Sequence, residues 1–332
     1  LHDVRCRLFA LMNLNKHHNM KKIISIICAT CAVILAGSCS KEDPTTLEVS
    51  PAELSWEWNE TKTQIVTVTA NYEWTARVSD ESNWTITPTN DGKTFTVAPK
   101  TENRASAALT ATITITSKEL FKTITCTQNG GDFIDGYEYV DLGLSVKWAT
   151  CKIGAKSETD YGSYFAWGET AEKADYTWDT YKWGKYANSD KTDEGMTKYN
   201  TKDGITTLEA GDDPATVNWG SKWRTPTINE CKELLDKTKC VWTWITKKDA
   251  DGNDVNGYTV TSKINGNSIF LPAAGYRDGT ELEDAGIEGN YWSSSLYAPN
   301  PCLADYFYFN SGDRDWPGIR RYFGRSVRAV TE

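Results

Sequence analysis

The sequence predicts two folded units in series: an all-β, immunoglobulin-like sandwich over residues 47–130 and an α+β domain over 132–332. Three observations lead there. The chain has 332 residues, more than one small module needs, and 12% of them are aromatic, so there is apolar surface for two cores. Between residues 47 and 130, apolar side chains recur in period two and turn-forming clusters separate the runs, the signature of short strands. Beyond residue 132, one segment has helical period while others read as hairpins, a mixture that defines α+β.

The elements follow in chain order. From Met20 come two lysines, an apolar stretch from Ile23 to Leu35, the small residues Ala36, Gly37 and Ser38, and then Cys39. This is the pattern of an export signal over residues 20–38, too short to span a bilayer. Small residues directly before a cysteine resemble the bacterial lipobox, with Ala36 standing where that motif usually has Leu. The resemblance implies that Cys39 is lipidated and begins the mature chain, and residues 1–19 then read as an upstream mis-start. Ser40-Lys41-Glu42-Asp43 resembles the surface-export tag of Bacteroidota lipoproteins, a solvated linker through residue 46 being the plainer reading. The expected location is the outer membrane, lipid-anchored and facing the exterior.

In the first unit the period-two runs are Ile65, Val66 and Val68, then Phe95 and Val97, then Leu109, Ile113 and Ile115, with Asn90-Asp91-Gly92 as the clearest turn. Such spacing predicts a small antiparallel sandwich. Val49-Ser50-Pro51 at the start, Trp74 on an early strand, Trp84 after a loop, a turn from Lys100 to Arg104, and the closing Thr127-Gln128-Asn129-Gly130 together resemble the BACON domain. That family has been proposed to bind carbohydrate, and Trp56, Trp58, Trp74 and Trp84 are the available stacking faces. A sandwich this small also needs large side chains inside, so two or more of the four are expected in the core, and a spacer role is favoured over sugar binding.

The second unit opens with Asp135–Thr150, whose alternating apolar residues read as a strand pair. Thr227 with Glu230 forms a capping box, and Ile228, Cys231, Leu234 and Leu235 share one helical face, so a helix starts after Thr227. Val241–Ile245 and Tyr258–Thr261 read as a hairpin across the Asp249–Gly257 turn. That turn offers oxygen ligands in Asp249, Asp251, Asn253 and Asp254, but Gly252 falls fourth where the EF-hand pattern requires the sixth position, so a plain polar turn is favoured and no metal or cofactor is expected. Cys126, Cys151, Cys231, Cys240 and Cys302 follow Cys39; Cys231 and Cys240 flank the helix and could pair, although buried thiols are the favoured state.

Four ordered blocks, Asp135–Thr150, Tyr161–Thr170, Gly211–Thr227 and the tail from Gly266 to Val330, resemble the Fibrobacter major paralogous (FISUMP) domain. The resemblance implies a C-type-lectin-like fold, in which paired helices and small sheets support a loop-rich face. Trp148, Trp167, Trp223 and Trp292 fall within the blocks and read as scaffold, while Arg224, Arg277 and Arg328 are expected to tie loops through charge-assisted hydrogen bonds. Between the blocks, Tyr297–Phe323 is irregular, aromatic and polar, the composition of a binding face. The candidate ligand-binding residues are Tyr297, Asn300, Asp305, Tyr306, Tyr308, Asp313, Asp315, Trp316, Arg320 and Tyr322. Alternation along the strand assigns Phe307 and Phe309 to the core and Tyr306 and Tyr308 to the surface. From Asn290 to Thr331 there is no Lys, Glu, Gln, Met or His, and the six basic residues after Lys263 are all Arg. That composition is compatible with the retroelement-driven diversification known for proteins of similar lectin-like fold.

Composition narrows the function. His2, His17 and His18 all precede Met20, so the mature chain has no histidine, which removes Ser-His-Asp and Cys-His nucleophile pairs, a histidine base and His-ligated zinc. Five of the 36 basic residues and one of the 45 acidic residues precede Cys39, leaving 31 against 44, and so acidic a chain is a poor nucleic-acid binder. The favoured reading is a surface-anchored, non-catalytic binding lipoprotein of adhesin or lectin type, with a glycan or protein as its ligand. The alternatives are a structural or fimbria-like subunit and a two-carboxylate glycoside hydrolase using Glu169, Asp278 or Glu281.

Overall fold

The computed structural model describes residues 43–184 and 195–332; the export signal and Cys39 lie outside the described residues. In the first unit, β1 (Leu47–Ser50), β3 (Gln64–Ala70), β6 (Thr94–Pro99) and β5 (Trp84–Pro88) form one sheet in that order. The second sheet holds β2 (Glu53–Trp56), β8 (Leu120–Gln128), β7 (Leu109–Ser117) and β4 (Thr75–Val78). The sandwich is antiparallel as expected except for β2, which runs parallel to β8. The chain steps from β1 to β2 through Pro51 and Ala52, passing from one sheet to the other with no hairpin between them.

Val66, Val68, Phe95, Val97, Ile113 and Ile115 fill the space between the sheets. Ile65 is in the same apolar run but stands on the solvent side, because alternate residues of a strand face opposite ways. Asp91 holds the predicted turn, accepting hydrogen bonds from Thr89 Oγ1 and from the amides of Lys93 and Thr94, and Gly92 supplies the positive φ of 64°. The closing segment ties loops together, since the buried Gln128 amide donates to the carbonyls of Trp58, Glu60 and Thr101.

In the second unit, β10 (Tyr137–Val140) and β11 (Lys147–Ala149) are the strand pair expected of the first block. They are flanked by β9 (Phe133–Ile134) and β21 (Val330–Thr331), so the end of the chain pairs with the start of the unit. Helix α1 (Pro214–Trp219) is capped by Asp213, whose carboxylate accepts from the Ala215 amide. Helix α2 (Ile228–Leu235) begins at the capping box formed by Thr227 and Glu230. The hairpin is longer than expected: β12 (Cys240–Lys248) pairs with β13 (Asp254–Ser262) around a tight turn, and β14 (Ser268–Pro272) extends it. Asp249 is engaged by the turn itself, accepting from the amides of Asp251 and Asn253 and from Asn253 Nδ2.

The largest sheet runs β16 (Glu281–Ala285), β15 (Ala274–Asp278), β17 (Gly289–Leu296), β18 (Leu303–Phe309), β19 (Arg314–Asp315), and β20 (Gly318–Arg320) also pairs with β18. The unit is therefore β-rich. The α content expected of a lectin-like domain is limited, among the described residues, to α1, α2 and a 3-10 turn at Ala210–Asp212, because only the Ile228–Leu235 run has helical period over a useful length.

Two cores flank β17 and β18. One joins Cys231, Leu234, Tyr258, Val260, Leu271, Tyr291, Phe307 and Phe309 beneath α2. The other joins Phe165, Trp167, Trp219, Trp223, Trp292, Tyr306 and Phe323 on the opposite side. Trp148, Trp167, Trp223 and Trp292 are all buried, as a scaffold requires. Cys126, Cys151, Cys231 and Cys240 are free thiols, so the Cys231–Cys240 pair that spacing allowed is not made. Burial alone pushes the Cys126 thiol up to about 11.

Candidate functional site

Strand β18 carries the centre of the predicted face, and both of its sides are covered. Phe307 and Phe309 are core, as expected. Tyr306 is not a surface residue: it is 7% exposed and packs into the second core. Alternation correctly set it opposite the phenylalanines, but the second side of the sheet is closed by Phe323 and by the Phe165–Trp167 segment. Its ring lies 3.8 Å from the guanidinium of Arg325, which is itself buried among Trp292, Tyr276 and Phe323. Burial draws Arg325 down to about 10. Tyr308 lies nearer the rim, where its hydroxyl donates to Glu288 (2.9 Å) and accepts from Asn310 Nδ2 (2.6 Å), and burial is the first cause of its rise to about 12.

The remaining candidates divide into supports and exposed groups. Tyr297 packs on Gly318, where an added Cβ would stand 2.6 Å from the tyrosine ring. Asn300 shapes the turn before β18, its Oδ1 accepting from the Cys302 amide at 3.0 Å. Tyr322 is half-buried, edge to face with Trp178 at 5.0 Å. Asp313, Asp315, Trp316 and Arg320 are exposed. Trp316 is 44% exposed and lies 5.6 Å from Lys232 Nζ of α2. Asp305, on the helix-facing side of β18, is half-buried, and desolvation raises its carboxyl to about 6 while the Lys232 ammonium opposes the rise.

Of the candidates, Asp313, Asp315, Trp316 and Arg320 are exposed and Asp305 is half-buried. Trp316 and Asp305 stand near Lys232 on the helix side of the sheet, whereas Asp315 pairs with Tyr308 and belongs to the side of Tyr306. Lys232 escaped sequence reading because it lies far from the segment in the chain; the capping box places it on the polar side of α2, but nothing local says which loop that side meets. The buried arginines were also underestimated. Arg224 pairs with Glu230 and Glu332, Arg277 donates to the Thr280 carbonyl, and Arg328 to those of Ala149 and Phe270, as expected. Arg321 and Arg325 do equivalent work that no motif announced. Arg321 reaches the carbonyls of Lys198, Tyr199 and Pro301 and the hydroxyl of Tyr181.

Two concavities lie elsewhere. A cleft of about 1010 Å³ opens between the edge strands β4 and β5 of the sandwich. Among the four tryptophans of the first unit, Trp56 and Trp84 are core and in edge contact at 5.2 Å, Trp58 packs on Phe133, and Trp74 lines this cleft with its indole NH bonded to the Gly92 carbonyl. A smaller groove of about 400 Å³ lies in the second unit beside Tyr137 and Trp219. Of the carboxylates considered for hydrolysis, Glu169 is buried in an ion pair with Lys173 (3.0 Å), whereas Asp278 and Glu281 are direct cross-strand partners exposed to solvent on the β15–β16 hairpin. Among the described residues no helix is long and apolar enough to cross a membrane, and no group of three or more His, Cys, Asp or Glu is placed to hold a metal ion.

Fold and face together define a β-rich chain with a small sandwich ahead of a larger sheet domain. Residues 46–131 match the family described as the Viral BACON domain, so the first unit is a BACON domain. No curated relative matches the sequence. Among solved structures, domains 4 and 5 of the S-layer protein SbsC share 19% identity over 26% of this chain and 55% of theirs, at a TM-score of 0.20. An endo-fucoidan hydrolase of glycoside hydrolase family 107 shares 10% identity over 84% of this chain and 29% of its own, at 0.25. The chain therefore spans about half the length of the first and less than a third of the second, and likenesses this low carry no functional weight.

Proposed function

We propose that this is a surface-anchored, non-catalytic binding lipoprotein of adhesin type. Cys39 carries the lipid that holds it to the outer membrane, the BACON domain sets the distance, and the second unit, read as a FISUMP domain of C-type-lectin-like kind, presents the ligand face. The observation that carries this reading is Trp316: a large aromatic side chain held in solvent on a short, charged turn, next to Lys232 and backed by a sheet with a core on each side. Exposed tryptophan flanked by charge is the composition of an interface hot spot with a polar rim. Neither principal concavity includes these residues, and an open face of this kind suits a protein partner better than an isolated sugar, which needs a pocket. Glycan is the second ligand class, favoured by the stacking surface Trp316 offers.

The test compares wild-type protein with Trp316→Ala and Asp315→Ala against immobilised extracellular host proteins and a glycan array. Saturable binding that Trp316→Ala weakens by about tenfold or more, with melting temperature unchanged, is the expected result. Binding indifferent to both substitutions would overturn the assignment of this face. Sedimentation checks the fimbria-like alternative, since a filament subunit self-associates whereas an adhesin stays monomeric.

A further inference from the structure

We propose that the groove beside Tyr137 is a second, separate binding site, built for a neutral pyranose unit of a glycan. Its wall is an aromatic pair: the rings of Tyr137 and Trp219 stack at 4.0 Å with an interplanar angle of 13°. The pair is rigid. Trp223 meets both rings edge-on, at 6.5 Å and 5.3 Å, and is itself fixed by a hydrogen bond from its indole NH to the Ile134 carbonyl. Trp219 is buried and backs the half-exposed Tyr137, so the tyrosine is the platform and the tryptophan its support. A pyranose ring has one face of C–H groups, which an aromatic plane accepts, and a rim of hydroxyls that need acceptors.

The groove supplies those acceptors already oriented. Glu172 receives the Ser163 hydroxyl on one carboxylate oxygen (2.9 Å) and the Tyr164 amide on the other (3.0 Å), which fixes its plane and leaves lone pairs on both oxygens. Asn218 donates from Nδ2 to the carbonyls of Thr170 and Pro214, which directs its Oδ1 away from them, and that oxygen accepts no hydrogen bond among the described residues. Both groups are exposed yet held by the protein, so little side-chain entropy is lost when a sugar hydroxyl donates to them. Charge decides between sugar classes. Glu172 has no cationic partner among the described residues, and the nearby Lys173 is engaged by Glu169, so an acidic sugar would meet an uncompensated carboxylate. Sequence reading missed this site because its residues come from five separate stretches of the chain.

The experiment uses the full chain on an array of neutral hexose and N-acetylhexosamine oligosaccharides beside their sialylated and uronic-acid counterparts, followed by titration of the strongest neutral probe. Variants are Tyr137→Ala, Glu172→Ala and, as the control for the other face, Trp316→Ala. Binding of neutral probes, poor binding of acidic ones, and a loss of about tenfold or more in Tyr137→Ala and Glu172→Ala but not in Trp316→Ala is expected. If Tyr137→Ala fails to fold, the exposed Glu172→Ala decides alone. Absence of any saturable neutral binding, preference for acidic probes, or binding that survives Glu172→Ala would overturn the proposal. Loss in Trp316→Ala alone would overturn it while leaving the first face standing.

Discussion

Truncating Tyr306 separates a core role from a ligand-contact role. The side chain is 7% exposed, so Tyr306→Ala removes a buried ring, and large-to-small changes of this kind cost about 3–5 kcal/mol. The Arg325 guanidinium at 3.8 Å also loses its closest aromatic partner, worth about 2 kcal/mol when desolvated. Among the described residues its Nε has no hydrogen-bond partner, so little else can compensate. The two terms overlap, and about 5 kcal/mol is the expected total, comparable with the whole stability of a modest domain. Urea unfolding followed by the fluorescence of the buried tryptophans of the second unit reads this directly, as a fall in midpoint of about 2 M. Tyr306→Phe keeps the ring and should stay within about 1 kcal/mol of wild type, as should Trp316→Ala at an exposed site. A loss below about 2 kcal/mol for Tyr306→Ala, with the urea dependence unchanged, would refute the placement of this ring in the second core.

Three further outcomes follow from the same geometry. Asp305 has a folded-state pKa raised to about 6, so as pH climbs from about 4 the unfolded chain releases its proton first and stability falls until about pH 6. Asp305→Asn should remove that decline, stabilising the protein by about 1 kcal/mol at pH 7.5, after discounting for partial exposure, and by nothing at pH 4 in paired thermal melts. Thr227→Ala deletes the side chain that accepts from the Glu230 amide and should cost about 1 kcal/mol, whereas Thr227→Ser should recover most of it. Buried Cys126, Cys231 and Cys240 should resist an aromatic disulfide reagent at pH 8 in native protein and react promptly in 8 M urea; fast native labelling would contradict their burial.

How much was legible depended on the range of the interaction. Period-two alternation located Phe95, Val97, Ile113 and Ile115 because strand geometry sorts neighbours to opposite faces whatever the distant contacts. The capping box at Thr227 marked the start of α2 for the same reason, since its hydrogen bonds close within four residues. Tyr306 shows the limit: alternation says which residues share a side, and only tertiary packing says whether that side meets water. Ile65 fails in the opposite sense, apolar yet solvent-facing, because hydrophobicity was read without the pleat. Lys232 and the Tyr137–Trp219 groove are long-range constructions that no local period records.

The Arg-only tail also changes meaning once the contacts are known. Arg321 and Arg328 are fully buried, and Arg325 nearly so, yet they reach carbonyls, hydroxyls, an amide and rings in place of carboxylates. A planar guanidinium with five donors can satisfy several carbonyls at once, which a lysine cannot, so these positions need arginine for geometry rather than for charge. The same logic bounds how far Tyr297–Phe323 could vary. Tyr306, Phe307, Phe309 and Arg321 lie in packed or hydrogen-bonded places, where truncation or a change of shape would destabilise the unit before it changed a ligand. Exposed Asp313, Asp315, Trp316 and Arg320 carry no such constraint. Were this segment a diversified one, near-copies should differ at those four positions and keep the buried ones, and sequences varying at Tyr306 and Phe307 instead would contradict both the diversification and the packing that forbids it.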